Sequence, residues 1–219
     1  MNPHQPGVQR PRRQLEFFFD FSRPWTFMAS VQVAPLCRDA GADLVWRPFY
    51  VAAVFRDVNH HWTAMRAQPI GAKLDYYKAD MRRWADRLGI RIGRPPVYGG
   101  GSKPLNSARA LRGAFIAIDQ DRIAGYASAV FRAYWENLRD VSDPAVLGEL
   151  AEECGLDRAA FAERLDAPET RVRLERNTDE LVQRGGFGTP TFFVDGSGMY
   201  FGNDRLDFVR EALQRGAPR

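Results

Sequence analysis

The sequence predicts an α/β fold in which a block of helices is inserted between two groups of β-strands. A strand–helix–strand pattern occupies residues 15–49, and a β-hairpin followed by a helix occupies residues 191–213. Between them, apolar residues recur at three- and four-residue spacing over most of the chain, which is typical of amphipathic helices. The β-forming material is therefore split between the two ends of a 219-residue chain.

The first strand follows a polar leader. Residues 1–14 hold three prolines and few residues that a core could bury, so we expect this leader to be disordered. The run from Leu15 to Phe21 is apolar except for Glu16 and Asp20. Such a run is typical of a central strand that is covered on both faces.

A helix connects this strand to a second one at residues 44–49. Ser22 or Arg23 is expected at the helix N-cap. Pro24 is expected at the first helical position, where the missing N–H of proline removes no helical hydrogen bond. The helix ends by Gly41. Strand, helix and strand form a βαβ unit, which predicts parallel strands joined by a right-handed crossover.

From about Val54 the pattern changes, and helical periodicity follows from residue 72 onwards. The clearest helix has Tyr77, Met81 and Trp84 at helical spacing on one face. Residues 89–104 form a loop rich in glycine and proline. The predicted helices span residues 72–89, 105–122, 123–138, 142–155, 157–166 and 168–184.

The C-terminal segment predicts a β-hairpin followed by a helix. Its first strand, Thr191–Val194, starts directly after Pro190, which cannot donate a hydrogen bond to a sheet. Residues 195–201 contain an Asp-Gly-Ser-Gly turn and a second short apolar run. Asn203 and Asp204 then precede a helical pattern and are expected to cap it, with free backbone N–H groups facing outwards.

Composition excludes several classes of function. The net charge is +4, and Lys and Arg are spread along the chain except at Arg10–Arg13, so we expect no nucleic-acid binding. No apolar run approaches the ~20 residues that span a membrane. No apolar region follows the basic N-terminus, as it would in a secretory signal. We therefore expect a soluble, cytoplasmic protein.

The positions of cysteine and histidine predict neither a metal site nor a disulfide. Cys37 and Cys154 lie far apart and outside any C-x-x-C motif. His60 and His61 are adjacent, so their side chains do not converge on one ion in helix or strand geometry. His4 lies in the leader. We expect reduced thiols, as in the cytosol, and no bound metal.

Three sequence blocks together resemble one enzyme family. They are FFFDFSRPWTFMA at residues 17–29, KLDYYKADMRRWA at residues 73–85, and FGTPTFFVDG with FGNDRLDFVREAL within residues 187–213. These blocks are similar to those of 2-hydroxychromene-2-carboxylate isomerases and the related kappa-class glutathione transferases. The resemblance spans residues 15–213 and implies a thioredoxin-like fold with a DsbA-type all-helical insertion.

The resemblance implies that the thioredoxin-like domain is discontinuous. This domain comprises residues 15–53 and 186–219, and the leader precedes it. Residues 54–185 form the helical insertion domain and a connecting helix. The resemblance further implies a homodimer.

A glutathione site is also implied by the resemblance. In the family, the residues that match Thr189 and Pro190 present backbone groups to the cysteinyl part of glutathione, as a short β-like pairing, across a cis peptide bond. Asn203 and Asp204 match the helix-start residues that hold the γ-glutamyl end. Free N–H groups at a helix start suit its carboxylate, and the Asp204 carboxylate suits its ammonium group.

Further residues match positions around the cleft. Asn59, on the loop after the second strand, and Lys73 correspond to residues that line it. Tyr76 and Trp84 either face an aromatic substrate or pack within the helical block. The apolar edges of the cleft are expected to be Trp25, Trp84 and Phe187.

The chain departs from the family at Arg23. The family has a serine directly before the proline, and its hydroxyl donates a hydrogen bond to the glutathione sulfur, which stabilises the reactive thiolate. Three outcomes are open: Arg23 stabilises the thiolate as a cation, Ser22 reaches the sulfur after a one-residue shift, or the reaction is lost. In the third case, Arg23 fills the cleft or turns to solvent.

The implied activity is a cis–trans isomerisation in aromatic catabolism. A glutathione thiolate adds to a conjugated carbon of an aromatic ketoacid, a single bond rotates, and the thiolate leaves. One alternative is glutathione transfer to electrophiles, which uses the same thiolate. Another is a non-catalytic glutathione- or peptide-binding protein, which Arg23 favours. The expected partners are glutathione and a small aromatic substrate.

Overall fold

The computed structural model of the protein describes residues 12–60, 71–93 and 105–215. Its centre is a four-stranded mixed sheet in the order β2-β1-β3-β4. β1 is parallel to β2 and antiparallel to β3, and β3 is antiparallel to β4. The strands are β1 (Gln14–Phe19), β2 (Asp43–Pro48), β3 (Thr191–Val194) and β4 (Gly198–Phe201). The predicted split of the β material between the chain ends is confirmed.

β1 is the central strand and is buried on both faces, as its apolar run predicts. Phe17 pairs in register with Trp46 of β2 and with Phe192 of β3. Phe17 and Phe19 point into the larger apolar core, whereas Phe18 points into a smaller cluster on the opposite face. The alternation follows from the two-residue period of a strand, so one strand anchors two helical layers.

Nine α-helices lie within the described residues. Except for α2, their ends agree with the predicted ranges to within a few residues, and Gly41 ends α1 in the left-handed conformation. The carboxylates of Asp143 and Asp157 cap two of them. The helices are α1 (Pro24–Ala40), α2 (Val51–Asp57), α3 (Gly71–Leu88), α4 (Ala108–Asp119), α5 (Ile123–Trp135), α6 (Pro144–Glu153), α7 (Arg158–Leu165), α8 (Pro168–Gln183) and α9 (Leu206–Gln214).

The short helix α2 was not predicted from the sequence. Its N-cap, Tyr50, makes no side-chain capping bond. The backbone N–H of Val51 instead donates to the carboxylate of Asp20, 31 residues earlier, at 3.0 Å. A helix start that a distant residue satisfies leaves no capping signal in the neighbouring sequence.

Ordered structure begins before the predicted end of the leader. Gln14 is the first residue of β1, and its backbone N–H donates to Asp195 at 3.0 Å. Arg13 forms an ion pair with the same carboxylate and donates to the carbonyl of Ala212 at 3.0 Å. Residues 1–11 of the predicted leader lie outside the described residues.

One apolar core joins the sheet to the helical block. Phe27 of α1 stacks on Phe131 of α5, with ring centroids 5.5 Å apart. The indole N–H of Trp135 donates to the carbonyl of Phe21 at 3.0 Å, just beyond the end of β1. These contacts fix the start of α1 against α5. No helix among the described residues is both long enough and apolar enough to cross a membrane.

Candidate functional site

The candidate site lies at the start of α1. Arg23 is the N-cap residue, with an extended backbone, and its carbonyl accepts hydrogen bonds from the N–H groups of Thr26 and Phe27 at 3.1 and 3.2 Å. Its side chain makes no capping bond. The half-buried guanidinium lies over the ring of Phe55 in α2, 4.8 Å from its centroid. The Arg23 side chain therefore packs against Phe55 and does not turn to solvent.

The loop before β3 faces this helix start. The Thr189–Pro190 peptide bond is cis, as the resemblance implies. The hydroxyl of Thr189 lies 3.0 Å from that of Thr26 and donates to the carbonyl of Phe18 at 3.4 Å. No other described residue forms a hydrogen bond to the backbone N–H or carbonyl of Thr189. Both groups therefore retain unused hydrogen-bonding capacity beside the start of α1.

Asp20 holds the neighbouring segments in place and was not expected to do so from the sequence. Its side chain is fully buried and accepts from the N–H of Ser22 at 2.8 Å. The other carboxylate oxygen accepts from the N–H of Val51 and the hydroxyl of Ser107, both at 3.0 Å. One carboxylate therefore links the start of α1 to α2 and α4. Its sequence signal was an acidic residue interrupting an apolar strand.

Ser22 lies just outside α1 and is buried. Its backbone N–H is held by Asp20, and the first helical turn is closed by the carbonyl of Arg23. The N-cap residue of α1 is thus Arg23 and not Ser22.

An aromatic surface borders Thr189. The rings of Phe187 and Phe201 are 4.6 Å apart, and about two fifths of each residue is exposed, 38% and 40%. A Cβ added at Gly188 would lie 2.9 Å from Phe201 and 3.9 Å from Phe55, so these rings pack against the loop backbone. The amide of Asn59 donates to the carbonyl of Phe187 at 3.2 Å, which places Asn59 beside this loop.

The structure brings together only part of the aromatic set expected at the cleft. Trp25 follows Pro24 and makes an edge contact with Tyr77 of α3, with centroids 5.7 Å apart. Trp84 packs against the main core, with Arg87 over its ring at 5.3 Å. Tyr76 is 65% exposed, and the guanidinium of Arg83 lies 6.0 Å from its ring centroid. The contacts of Trp84 agree with the interpretation that it packs within the helical block.

Lys73 and the predicted helix cap differ in their surroundings. Lys73 is exposed on the first turn of α3.

Asn203 and Asp204 begin a short 3-10 helix, Asn203–Arg205, ahead of α9, and neither side chain caps it. The predicted cap is therefore wrong. The side-chain oxygen of Asn203 instead accepts from Gln32 of α1 at 2.7 Å, because Asn203 is buried against that helix.

Neither cysteine lies at the site. Cys37 is buried in the last turn of α1, and burial together with the charge of Asp43 raises the pKa of its thiol to about 11. Cys154 follows α6, and burial raises its pKa as well. No group of three or more metal-ligating side chains occurs within the described residues.

The family of the chain is decided by comparison with known proteins. Residues 14–214 match the model of the DSBA-like thioredoxin domain. The chain belongs to this family. The DsbA-like chain is also 29% identical over 201 residues to the 2-hydroxychromene-2-carboxylate isomerase of Pseudomonas putida, an alignment that covers 92% of this chain and 94% of the relative.

Two further comparisons extend this result. The glutathione S-transferase kappa 2 of Caenorhabditis elegans is 24% identical, with 92% of each chain covered. A solved structure of a 2-hydroxychromene-2-carboxylate isomerase superposes with a TM-score of 0.74 at 28% identity, covering 91% of this DsbA-like chain and 94% of that one. The thioredoxin-like fold with a DsbA-type helical insertion is therefore confirmed, and the similar proteins include isomerases and a kappa-class transferase.

Proposed function

We propose that this DsbA-like protein is a glutathione-dependent isomerase of the 2-hydroxychromene-2-carboxylate type, acting on an aromatic ketoacid in cytoplasmic aromatic catabolism. The observation that carries the proposal is the pairing of the α1 start with the Thr189 loop, at a site from which both cysteines are distant. A thiol that reacts there must come from a ligand. Relatives that carry isomerase and glutathione transferase names support glutathione as that ligand.

The free backbone groups of Thr189 are suited to pair with the cysteinyl part of glutathione. Asn59 flanks this loop through its bond to Phe187. The γ-glutamyl end is proposed to bind at Asn203 and Asp204. The Asn203 amide nitrogen has no partner among the described residues and so keeps an unused donor. The exposed Asp204 carboxylate, which pairs with Arg205, suits an ammonium group.

Arg23 is proposed to stabilise the glutathione thiolate. A guanidinium is always charged, and its contact with Phe55 holds it beside the helix start instead of in bulk solvent. A hydrogen bond from a cation to a thiolate is charge-assisted and stronger than one from a neutral hydroxyl. The proposed role for Arg23 is therefore that of the serine found in related enzymes.

In the proposed reaction, the thiolate sulfur forms a bond to a conjugated carbon of the substrate, and an electron pair moves to the ketone oxygen as an enolate. The former double bond becomes single and rotates. The enolate then collapses, the carbon–sulfur bond breaks, and the thiolate is restored. Arg23 stabilises the sulfur charge before and after addition. The exposed rings of Phe187 and Phe201 offer an apolar surface for the fused ring.

Calorimetric titration with glutathione, from about pH 6 to about pH 9, tests the binding step. If Arg23 lowers the pKa of the bound thiol below its free value of about 8.5, affinity rises with pH until the free thiol ionises, and then levels off. Arg23→Ala should remove this rise and weaken binding about tenfold at pH 8. The matched control is Arg38→Ala, an exposed arginine at the other end of α1, which should leave affinity unchanged.

Two other results would decide against parts of the proposal. Binding with no pH dependence in the native protein would support a site that holds glutathione without activating it, the non-catalytic alternative that Arg23 favours. No binding at all would exclude glutathione as the ligand. Turnover of an electrophile such as 1-chloro-2,4-dinitrobenzene, without isomerisation of a chromene carboxylate, would favour the kappa-like transferase.

A further inference from the structure

A cavity lies between α2, the start of α4 and α8. It has a volume of about 590 Å³ and is lined by residues of these three helices and by Tyr50 and Val58 at the ends of α2. Its described wall residues do not include Arg23, Thr26 or Thr189. This volume falls within the range of small-molecule pockets, about 300–1,000 Å³. The reaction proposed above makes no use of this space.

One end of this cavity is positively charged. Arg112 and Arg171 both line it, and Arg109 stands close to them. Asp166 pairs with Arg109 and Arg112, leaving three guanidinium groups around one carboxylate. No ion pair to Arg171 occurs among the described residues. A bound anion would offset the surplus of positive charge.

Arg112 is the strongest sign that a ligand belongs here. Its side chain is only 10% exposed, and its Nε has no hydrogen-bond partner among the described residues. Burial, together with the charges of Arg171 and Arg109, lowers the pKa of Arg112, although the charge of Asp166 acts in the opposite direction. A buried guanidinium with an unused donor and two cationic neighbours is unfavourable, and an anion beside it would offset its charge.

The remaining wall limits what that ligand can be. Val54, Leu174 and Val182 provide apolar surface, which an inorganic ion would leave uncovered. Glu175 and Asp179 line the cavity further along α8, so a ligand with several negative charges would meet repulsion there. Burial, followed by the charge of Asp20, raises the pKa of Tyr50 in the same wall, which keeps its phenol protonated as a donor.

We propose that this cavity binds a small organic monocarboxylate, with its carboxylate against Arg112 and Arg171 and its apolar body against Val54 and Leu174. The carboxylate accepts hydrogen bonds from the two guanidinium groups, and the apolar body covers the walls of α2 and α8. This site is separate from the glutathione site and does not depend on the proposed reaction.

Titration calorimetry with benzoate as the probe tests this site. We expect saturable binding that Arg171→Gln weakens about tenfold, because a charge-assisted bond is lost. Arg176→Gln is the matched control, since Arg176 is exposed on the same helix outside this cavity wall. Arg171 is itself exposed, so its substitution should leave the thermal unfolding midpoint unchanged and report on binding alone.

Benzoate must also bind equally well in the presence of saturating glutathione and in Arg23→Ala. Competition with glutathione, or loss of benzoate binding in Arg23→Ala, would assign the probe to the first site and overturn the proposal. Equal benzoate affinity in Arg171→Gln and the native protein would also overturn the proposal, as would the absence of binding at about 10 mM benzoate. Inorganic phosphate should bind more weakly than benzoate; tighter phosphate binding would contradict the apolar part of the proposal.

Discussion

The hydroxyl oxygens of Thr26 and Thr189 lie 3.0 Å apart and are buried, although 163 residues separate them in the chain. Thr189 also donates to the carbonyl of Phe18 at 3.4 Å, so the hydroxyl of Thr26 is the donor to Thr189 when that bond is formed. The pair joins the first turn of α1 to the loop that presents free backbone groups. We infer that it fixes the spacing between the two halves of the glutathione site.

Thr26→Val should therefore weaken both the fold and the site. Removing the hydroxyl leaves the buried Thr189 oxygen with one partner fewer, and we expect a loss of about 1 kcal/mol in the free energy of unfolding. Glutathione affinity should fall as the loop shifts. Urea unfolding and calorimetric titration measure the two effects. Thr26→Ser keeps the hydroxyl but removes a buried methyl group, so it should cost about 0.8 kcal/mol of stability while glutathione affinity is retained. A loss of affinity in Thr26→Ser as large as in Thr26→Val would contradict the role of the hydrogen bond.

Replacing Arg23 with serine tests whether the charge or only a donor is required. We expect the pKa of the bound glutathione thiol to be higher in Arg23→Ser than in the native protein, because a neutral hydroxyl stabilises the thiolate less than a guanidinium does. The increase of glutathione affinity with pH should therefore begin at a higher pH. Arg23→Lys, which retains the charge, should displace this increase less. Ultraviolet absorbance of the bound thiolate across pH gives the measurement. A large gain in isomerase activity in Arg23→Ser would instead show that arginine impairs the native site.

Asp20→Asn should destabilise the protein more than an exposed substitution of the same kind. The amide can accept on one oxygen only, whereas Asp20 accepts from three donors on both of its oxygens. We expect a loss of about 2–3 kcal/mol in the free energy of unfolding. Asp140 is an exposed aspartate that accepts from Ser142, so Asp140→Asn is the control and should change stability by less than about 0.5 kcal/mol. Similar losses in both variants would refute the linking role of Asp20.

Cys37 should make the stability of the protein depend on alkaline pH. Its pKa is raised from 9.0 to about 11, so between these values the unfolded chain loses the thiol proton while the folded chain keeps it. The contribution is complete below pH 9 and is lost as pH rises towards 11. Cys37→Ala should therefore lose less stability than the native protein over this interval, as measured by urea unfolding at several pH values. Parallel curves would show that Cys37 does not carry the effect.

Much of the fold could be predicted because its signals are local. Pro24 and Gly41 bracket α1, and the Asp-Gly turn after Val194 places the hairpin. The start of α2 and the role of Asn203 could not be predicted in the same way. Asp20 accepts the hydrogen bond from the first N–H of α2, and Gln32 donates to the side chain of Asn203. Both partners are distant in the chain. A capping pattern read from neighbouring residues cannot detect a partner supplied by tertiary packing.

The candidate site also contains residues that have a signal in the sequence and a residue that has none. Arg23, Pro190 and Thr189 are identified through blocks of sequence that resemble a family, and the structure joins Thr189 to the first turn of α1, the helix that Arg23 caps. Thr26 was passed over because one threonine at the start of an apolar helix has no distinctive spacing. Its importance arises only from the position of Thr189 in the folded chain.

The central position of β1 also has a consequence for synthesis of the protein in the cell. β1 is complete at Phe19, and β2 can pair with it as soon as residues up to Pro48 have been translated. Its other edge pairs with β3, which begins only at Thr191. Until β3 has left the ribosome, the apolar central strand exposes an unpaired edge. The nascent chain should therefore depend on chaperones through most of its translation, and a truncation before β3 should aggregate instead of forming a smaller stable fold.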